Sequence, residues 1–144
     1  MLKRFVKNER GLTLIELLAV IVILGIIAAI AIPSISNIID GTRDKAKVAE
    51  AIQIINAAKL AHAEHPDQVK WKYNADTTNG YAALRAYLDK VKDNNFEVLY
   101  DSSTKTYSIK AHEAYGAVNN ILNPTTRYTN DSLIPEQTLI DATK

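Results

Sequence analysis

The chain has 144 residues, which fits one domain and leaves no length for a second sizeable core. Its formal net charge of +1 excludes the overall basic field that is typical of nucleic-acid-binding proteins. Because the chain has no cysteine, disulfides, thiolate catalysis and cysteine-ligated zinc or iron–sulfur sites are also excluded.

The N-terminus combines a basic stretch with an apolar one. Four basic residues and one acidic residue lie in the first eleven positions, and residues 17–32 then carry no charge. Counted from residue 12, this segment has 21 residues. In a helix these span about 31 Å, close to the roughly 30 Å of bilayer hydrocarbon. We therefore expect a membrane-spanning helix with its basic end on the cytoplasmic side.

Glu16 does not fit a plain membrane anchor. It lies at the start of the apolar segment, where an ionised carboxylate costs several kcal/mol unless it is paired or close to the interface. The sequence around it is a short basic leader that ends in Gly11, followed by Leu12-Thr13-Leu14-Ile15-Glu16 and the apolar run. This pattern resembles the signature of type IV prepilins and of the pseudopilins of type II secretion and DNA-uptake machines.

The resemblance implies how the N-terminus is processed and used. A prepilin peptidase would cut between Gly11 and Leu12, and the new amine of Leu12 would be methylated. Leu12 departs from the phenylalanine that is usual there. Glu16, fifth in the mature chain, would neutralise the Leu12 ammonium of a neighbouring subunit during filament assembly. Thr13 belongs to the same assembly segment.

Two further positions agree with the resemblance. Gly25 and Pro33 stand fourteenth and twenty-second after the expected cut, where family members carry a helix-weakening glycine and a kinking proline. Proline removes a backbone donor and glycine lowers helix propensity, so the segment between them can bend. Two alternatives compete: a cleavable secretory signal with its A-x-A site at 29–31, and an ordinary signal anchor. The second explains neither Gly11 nor Glu16.

An amphipathic pattern continues the helix beyond Pro33. Apolar and small residues recur at steps of three and four, which predicts one helix over residues 12–65 with a soft point at Gly41. His65-Pro66 ends it, because the residue before proline disfavours helical geometry. The stripe that we expect to face the rest of the protein consists of Ile35, Ile38, Ile39, Thr42, Ala46, Ala49, Ile52 and Ile55.

Residues 67–144 form the expected globular head, which should pack on that stripe because it is short for an independent core. A second helix is predicted over residues 80–92, with Asn79 as its cap and Tyr81, Leu84, Leu88 and Val91 on one face. Alternation over 96–100 and 107–111 predicts an antiparallel hairpin. Residues 114–122 fit either a helix or a strand, and the tail reads as ordered loop with one edge strand near Leu133 or Leu139.

The fold class that follows is α+β and type IV pilin-like: a long N-terminal helix packed on a small antiparallel sheet. Four segments make up the chain. Residues 1–11 are a cytoplasmic leader, 12–32 a membrane-spanning and filament-core helix, 33–66 its amphipathic continuation, and 67–144 the head.

One cluster at the end of the long helix has residue types that bind metal ions. His62, Glu64, His65 and Asp67 include two histidines three residues apart, which could share a helix face. Histidine also complements the dipole at a helix C-terminus, and this second interpretation is favoured. The protease motif H-E-x-x-H is absent.

Other clusters point weakly to ligands. Residues 93–95 and 130–132 supply oxygen ligands, and some related pseudopilins hold calcium in such loops, but neither matches an EF-hand. Residues 70–73 form a basic and aromatic patch suited to single-stranded nucleic acid, although Trp71 is expected to pack in the head instead. No nucleophile, phosphate-loop or dinucleotide motif occurs, so we expect no enzyme, no catalytic residue, no bound metal and no cofactor.

The resemblance therefore implies a structural subunit of a type IV pilus or pilus-like filament. Its expected partners are copies of itself, minor pilins, a prepilin peptidase, and an assembly platform protein with its ATPase. It would be a single-pass cytoplasmic-membrane precursor and then part of a cell-surface filament. A pseudopilin of a secretion or competence DNA-uptake system is one alternative. From another class, a membrane-anchored binding module or adhesin is the second.

Overall fold

A computed structural model describes residues 9–73, 80, 84–88 and 91–144, with side chains from residue 13 onwards. The chain divides into two compact units, Met1–Asp40 and Gly41–Lys144. In the first unit, the described backbone is helical throughout, and the helix α1 has the bounds Glu9–Glu64. The predicted end at residue 65 is right to within one residue.

Pro33 lies inside α1 without ending it. A proline in a helix interior removes one backbone hydrogen bond, and a long apolar helix tolerates this loss because the remaining ladder continues on both sides. Gly25 and Gly41 also lie inside α1, and a Cβ atom added at either position would meet nothing within 4 Å. No close approach among the residues that the structure describes therefore requires glycine there.

The second unit contains a four-stranded sheet in the order β1-β2-β3-β4, with every pair antiparallel. Its strands are β1 (Lys70–Lys72), β2 (Glu97–Asp101), β3 (Thr106–Lys110) and β4 (Ile134–Pro135). The helix α2 (Ala114–Leu122) follows β3, and α3 (Glu136–Asp141) follows β4. The expected α+β class, a long apolar helix packed on a small antiparallel sheet, is confirmed.

One row of paired residues crosses the whole sheet and forms the centre of the core. Trp71 pairs with Val98, Val98 with Ile109, and Ile109 with Ile134. All four side chains are fully buried. Because successive side chains of a strand alternate between faces, this row fixes which face of the sheet meets α1.

The face of α1 that the sheet covers differs from the predicted one. Ala46 and Ala49 are exposed and Ile52 is half-buried, whereas Ile55 is buried as expected. Alanine dominates the covered face. The periodicity of α1 admits two apolar stripes, and the head packs on the one formed by Val48, Ala51, Ile54, Ile55, Ala57, Ala58 and Ala61.

The predicted helix over residues 80–92 is wrong in its second half. Leu84 and Arg85 are helical, but the chain turns at residues 86–87, and the described residues after them are irregular. A tertiary contact competes with the helix, because Glu50 of α1 accepts hydrogen bonds from the amides of Lys92 and Asp93. The proposed cap Asn79 and Tyr81 lie outside the described residues.

The rest of the head agrees with the sequence more closely. The hairpin is confirmed as β2 and β3, and residues 114–122 are a helix rather than a strand. The tail contains the expected edge strand, β4, next to Leu133, but Leu139 lies in α3, which the prediction missed. Strand β1 was also missed, since three residues between lysines give too short an alternation to recognise.

Candidate functional site: the N-terminal helix

The N-terminal half of α1 carries many exposed apolar side chains in the isolated subunit. The large aliphatic side chains over residues 14–39 are between 45 % and 72 % exposed. One helix is apolar and long enough to cross a membrane, and it begins at the N-terminal end of the described side chains. So large a contiguous apolar surface needs lipid or neighbouring helices to cover it.

Glu16 is exposed on this helix, one helical turn after Leu12 in the chain. It is the one acidic residue among positions 12–39, so its carboxylate is surrounded along the chain by aliphatic neighbours. Thr13 is exposed in the turn before it. Gly11 and Leu12 have helical backbone, which places the expected cut inside α1. A peptidase that cuts there acts on a peptide that must first unwind.

The N-terminal sequence matches one family model, described as the prokaryotic N-terminal methylation motif, over residues 6–32. This chain carries a type IV pilin-type leader. The matched range contains Gly11, Leu12, Thr13, Glu16 and Gly25, and it ends one residue before Pro33. A leader of this class belongs to precursors that are processed by a peptidase and assembled into filaments.

The leader also agrees with the apolar helix, since both fit a membrane-anchored precursor. Proteins with this leader are structural, pilin-type subunits rather than enzymes. No curated protein and no solved structure matches the chain. The head of this subunit is therefore understood from its own residues.

The two histidines at the end of α1 lie in different surroundings. His62 Nδ1 lies 2.7 Å from the carbonyl oxygen of Gln68, and its ring packs against Tyr100 at 4.5 Å and against Trp71 at 5.8 Å. His65 is exposed. Among the described residues, no three histidine, aspartate or glutamate side chains come together to hold a metal ion. His62 is thus a packing residue at the helix end.

The other candidate ligand residues serve local structure. Asp93 Oδ1 accepts a hydrogen bond from the Asn95 amide at 2.9 Å, and the Asn130 carbonyl accepts one from the Ala111 amide at 2.8 Å. The first is a turn contact of the kind that aspartate commonly makes, and the second joins the backbone after β3 to the tail. Trp71 is fully buried, as expected, and therefore cannot stack on a nucleic-acid base.

Glu97 is a buried charge that the sequence analysis missed. It lies in β2, and only 7 % of its side chain is exposed. Lys70 Nζ of β1 lies 2.9 Å from its Oε1, and Lys110 Nζ of β3 lies 3.4 Å from it. Burial alone raises the pKa of Glu97, but the hydrogen bonds and positive charges of the two lysines outweigh burial and lower it. The strand register, not the sequence order, brings these three charges together.

His112 is a second buried ionisable residue that sequence reasoning missed. It follows Ala111, whose φ of 58° turns the chain sharply after β3, and it is 1 % exposed. One histidine after a strand gives no sequence signal of burial. The ring reaches an open cleft of about 190 Å³, whose lining includes Arg43, Ala46, Lys47, Glu50, Lys92, Asp93 and Glu113.

Proposed function

We propose that this chain is a structural subunit of a type IV pilus or a closely related filament. The observation that carries the proposal is the joint presence of the pilin-type leader and a long apolar helix whose large side chains are exposed over residues 14–39. In the precursor, lipid would cover this helix. After cleavage between Gly11 and Leu12, the same helix would pass into a filament and be covered by copies of itself.

Apolar burial alone does not favour the filament over the membrane. Against water, covering apolar surface contributes on the order of 25 cal/mol per Å². Lipid already supplies that contribution, so helix association in a membrane depends on packing and on polar pairs. A charge pair would therefore favour the filament over the membrane, and Glu16 would be the acidic member of that pair.

The partner of Glu16 would be the Leu12 ammonium of a neighbouring subunit. Two opposite charges gain far more from pairing in an apolar surrounding than in water, and one left without a partner is strongly penalised there. Each incoming subunit would bring one acid and one amine, so the stagger that pairs them is favoured over every other stagger. The pair thus selects register, while the aliphatic surface supplies contact area.

Gly25 and Pro33 would let this helix adapt to its neighbours. Among the described residues, no contact requires glycine at position 25 or 41. The low helix propensity of glycine would instead serve the assembled filament. A helix that can bend between residues 25 and 33 can pack in a filament and lengthen under load.

Substitution of Glu16 tests the proposal. Glu16→Ala and Glu16→Gln should insert in the membrane as wild type does, but the yield of sheared filaments should fall at least tenfold, because the amine of the neighbour loses its partner. Asp67→Ala removes an exposed carboxylate of the head and is the matched control, with unchanged yield expected. Normal filament yield from Glu16→Ala would refute the assembly mechanism.

A single-pass binding module that never polymerises makes a different prediction. Such a protein keeps its first residues and tolerates both Glu16 substitutions. A pseudopilin shares the cleavage and the charge pair and differs in the length of the filament, which electron microscopy with an antibody to residues 67–144 measures directly.

A further inference from the structure

The protonation state of His112 can be read from its hydrogen bonds. Its Nδ1 accepts a hydrogen bond from the amide of Ala114 at 3.0 Å, at the first residue of α2. A backbone amide only donates, so Nδ1 carries no hydrogen and the ring is neutral with its hydrogen on Nε2. This bond also satisfies one of the amides that the start of α2 leaves without a partner within the helix.

The other ring nitrogen points to an acid that it does not reach. His112 Nε2 lies 3.9 Å from Asp93 Oδ2, beyond hydrogen-bond distance, and it has no hydrogen-bond partner among the described residues. Asp93 Oδ2 instead accepts the amide of Glu113 at 2.8 Å. The neutral ring is buried. Its Nδ1 accepts a hydrogen bond, and its Nε2 has no hydrogen-bond partner among the described residues.

Three segments of the head meet at this ring. Glu50 Oε1 of α1 accepts the amides of Lys92 at 2.6 Å and Asp93 at 3.0 Å, and Asp93 accepts the amide beside α2. Lys47 of α1 forms an ion pair with Glu113 at 3.3 Å. The charged groups around His112 are Asp93 in the loop before β2, Glu113 beside it, and Arg43, Lys47, Glu50 and Lys92 along the cleft.

We propose that His112 is an acid-sensitive latch on the start of α2, whose neutral ring holds the Ala114 amide and releases it when the ring takes up a proton. The incoming proton binds Nδ1. A protonated Nδ1 is a donor that faces the Ala114 amide, another donor, so their hydrogen bond is lost. The imidazolium then has two N–H groups to satisfy, and the carboxylate of Asp93 is the nearest acceptor for one of them.

The direction of the pH dependence follows from burial. Burial lowers the pKa of His112; the carboxylates of Asp93, Glu50 and Glu113 oppose this effect in part, and Lys47 adds to it. The unfolded chain then binds the proton more readily than the folded chain. Stability is therefore complete above a pH of about 6.5 and falls below it, by up to about tenfold in the folding equilibrium constant per pH unit.

Urea unfolding of the full chain in detergent micelles tests the latch, with the fluorescence of the single buried tryptophan as the signal. Measurements between pH 7.5 and 5.0 avoid the titration of ordinary carboxyl groups. Wild type should lose folding stability below pH 6.5, whereas His112→Gln, which keeps an acceptor and a donor but cannot titrate, should lose much less. His65→Gln removes an exposed histidine and should behave as wild type.

A second measurement does not depend on whether His112→Gln folds. Nitrogen-15 spectra of the wild-type histidine rings should show His112 without a proton on Nδ1 at pH 7.5, and protonation of Nδ1 should coincide with a shift of the Ala114 amide resonance. Three results would each overturn the proposal. The folding stability of wild type and of His112→Gln would depend on pH equally, or Nδ1 would carry a proton at pH 7.5. In the third, the Ala114 amide resonance would not change when the ring is protonated. This inference does not depend on the filament role.

Discussion

Replacement of Glu97 by glutamine should destabilise the head through loss of the cross-strand charge ladder. The carboxylate is 7 % exposed, but its partners Lys70 and Lys110 are 47 % and 33 % exposed. A broken buried pair costs about 3–5 kcal/mol and an exposed one less than about 1 kcal/mol. This half-covered ladder lies between them, so we expect a loss of about 1.5 kcal/mol, or a Tm decrease on the order of 8 °C.

The pH dependence of this difference identifies its origin. Because the folded chain lowers the pKa of Glu97, the carboxylate contributes its stability fully above the unfolded value of about 4.3 and loses it as the pH falls through the lower folded value. Urea titrations of wild type and Glu97→Gln, followed by Trp71 fluorescence, should differ at pH 7, and the difference should shrink as the pH falls below about 4.3. Asp67→Asn is the control for an exposed carboxylate. The reasoning would be refuted if wild type and Glu97→Gln were equally stable at pH 7, or if the difference in their folding stability did not change with pH.

Four further substitutions test packing and local geometry by the same urea titration. Asn119→Ala should cost about 2 kcal/mol, since the buried Asn119 side chain accepts the Tyr128 amide at 2.8 Å and donates to its carbonyl at 2.7 Å. Lys105→Gly should stabilise the hairpin by roughly 0.5 kcal/mol, because Lys105 has φ of 56° and glycine relieves that strain at some entropic cost. Ala58→Leu should cost about 1–3 kcal/mol by overpacking, whereas Ala49→Leu on the exposed side should leave the isolated subunit unchanged.

The membrane helix and the hairpin could be predicted because their signals are local. In lipid, the uncharged run of residues 17–32 can satisfy its backbone hydrogen bonds as a helix. The alternation around Val98 and Ile109 is typical of strands in a half-buried sheet. The leader was recognisable because Gly11 and Glu16 stand at fixed spacing next to that run. Each of these features depends on residues that are close in the chain.

The features that could not be predicted depend on residues far apart in the chain. Which of the two apolar stripes of α1 faces the sheet depends on the packing of the whole head, and the stripe with Ala51 and Ala58 is the buried one. The helix predicted up to Lys92 does not reach that residue, because the Lys92 amide donates to Glu50, 42 positions earlier in the chain. The buried state of Glu97 likewise arises from strand register, which no pattern within one segment records.

The N-terminal sequence of the protein purified from its own membranes tests the central claim most directly. Edman degradation or mass spectrometry of the intact N-terminus gives the first residue and any methyl group on its amine. The account predicts a chain that begins at Leu12 with a methylated amine. A chain that begins at Met1 would contradict it in favour of a permanent anchor, and one that begins at Ile32 would contradict it in favour of a secreted domain.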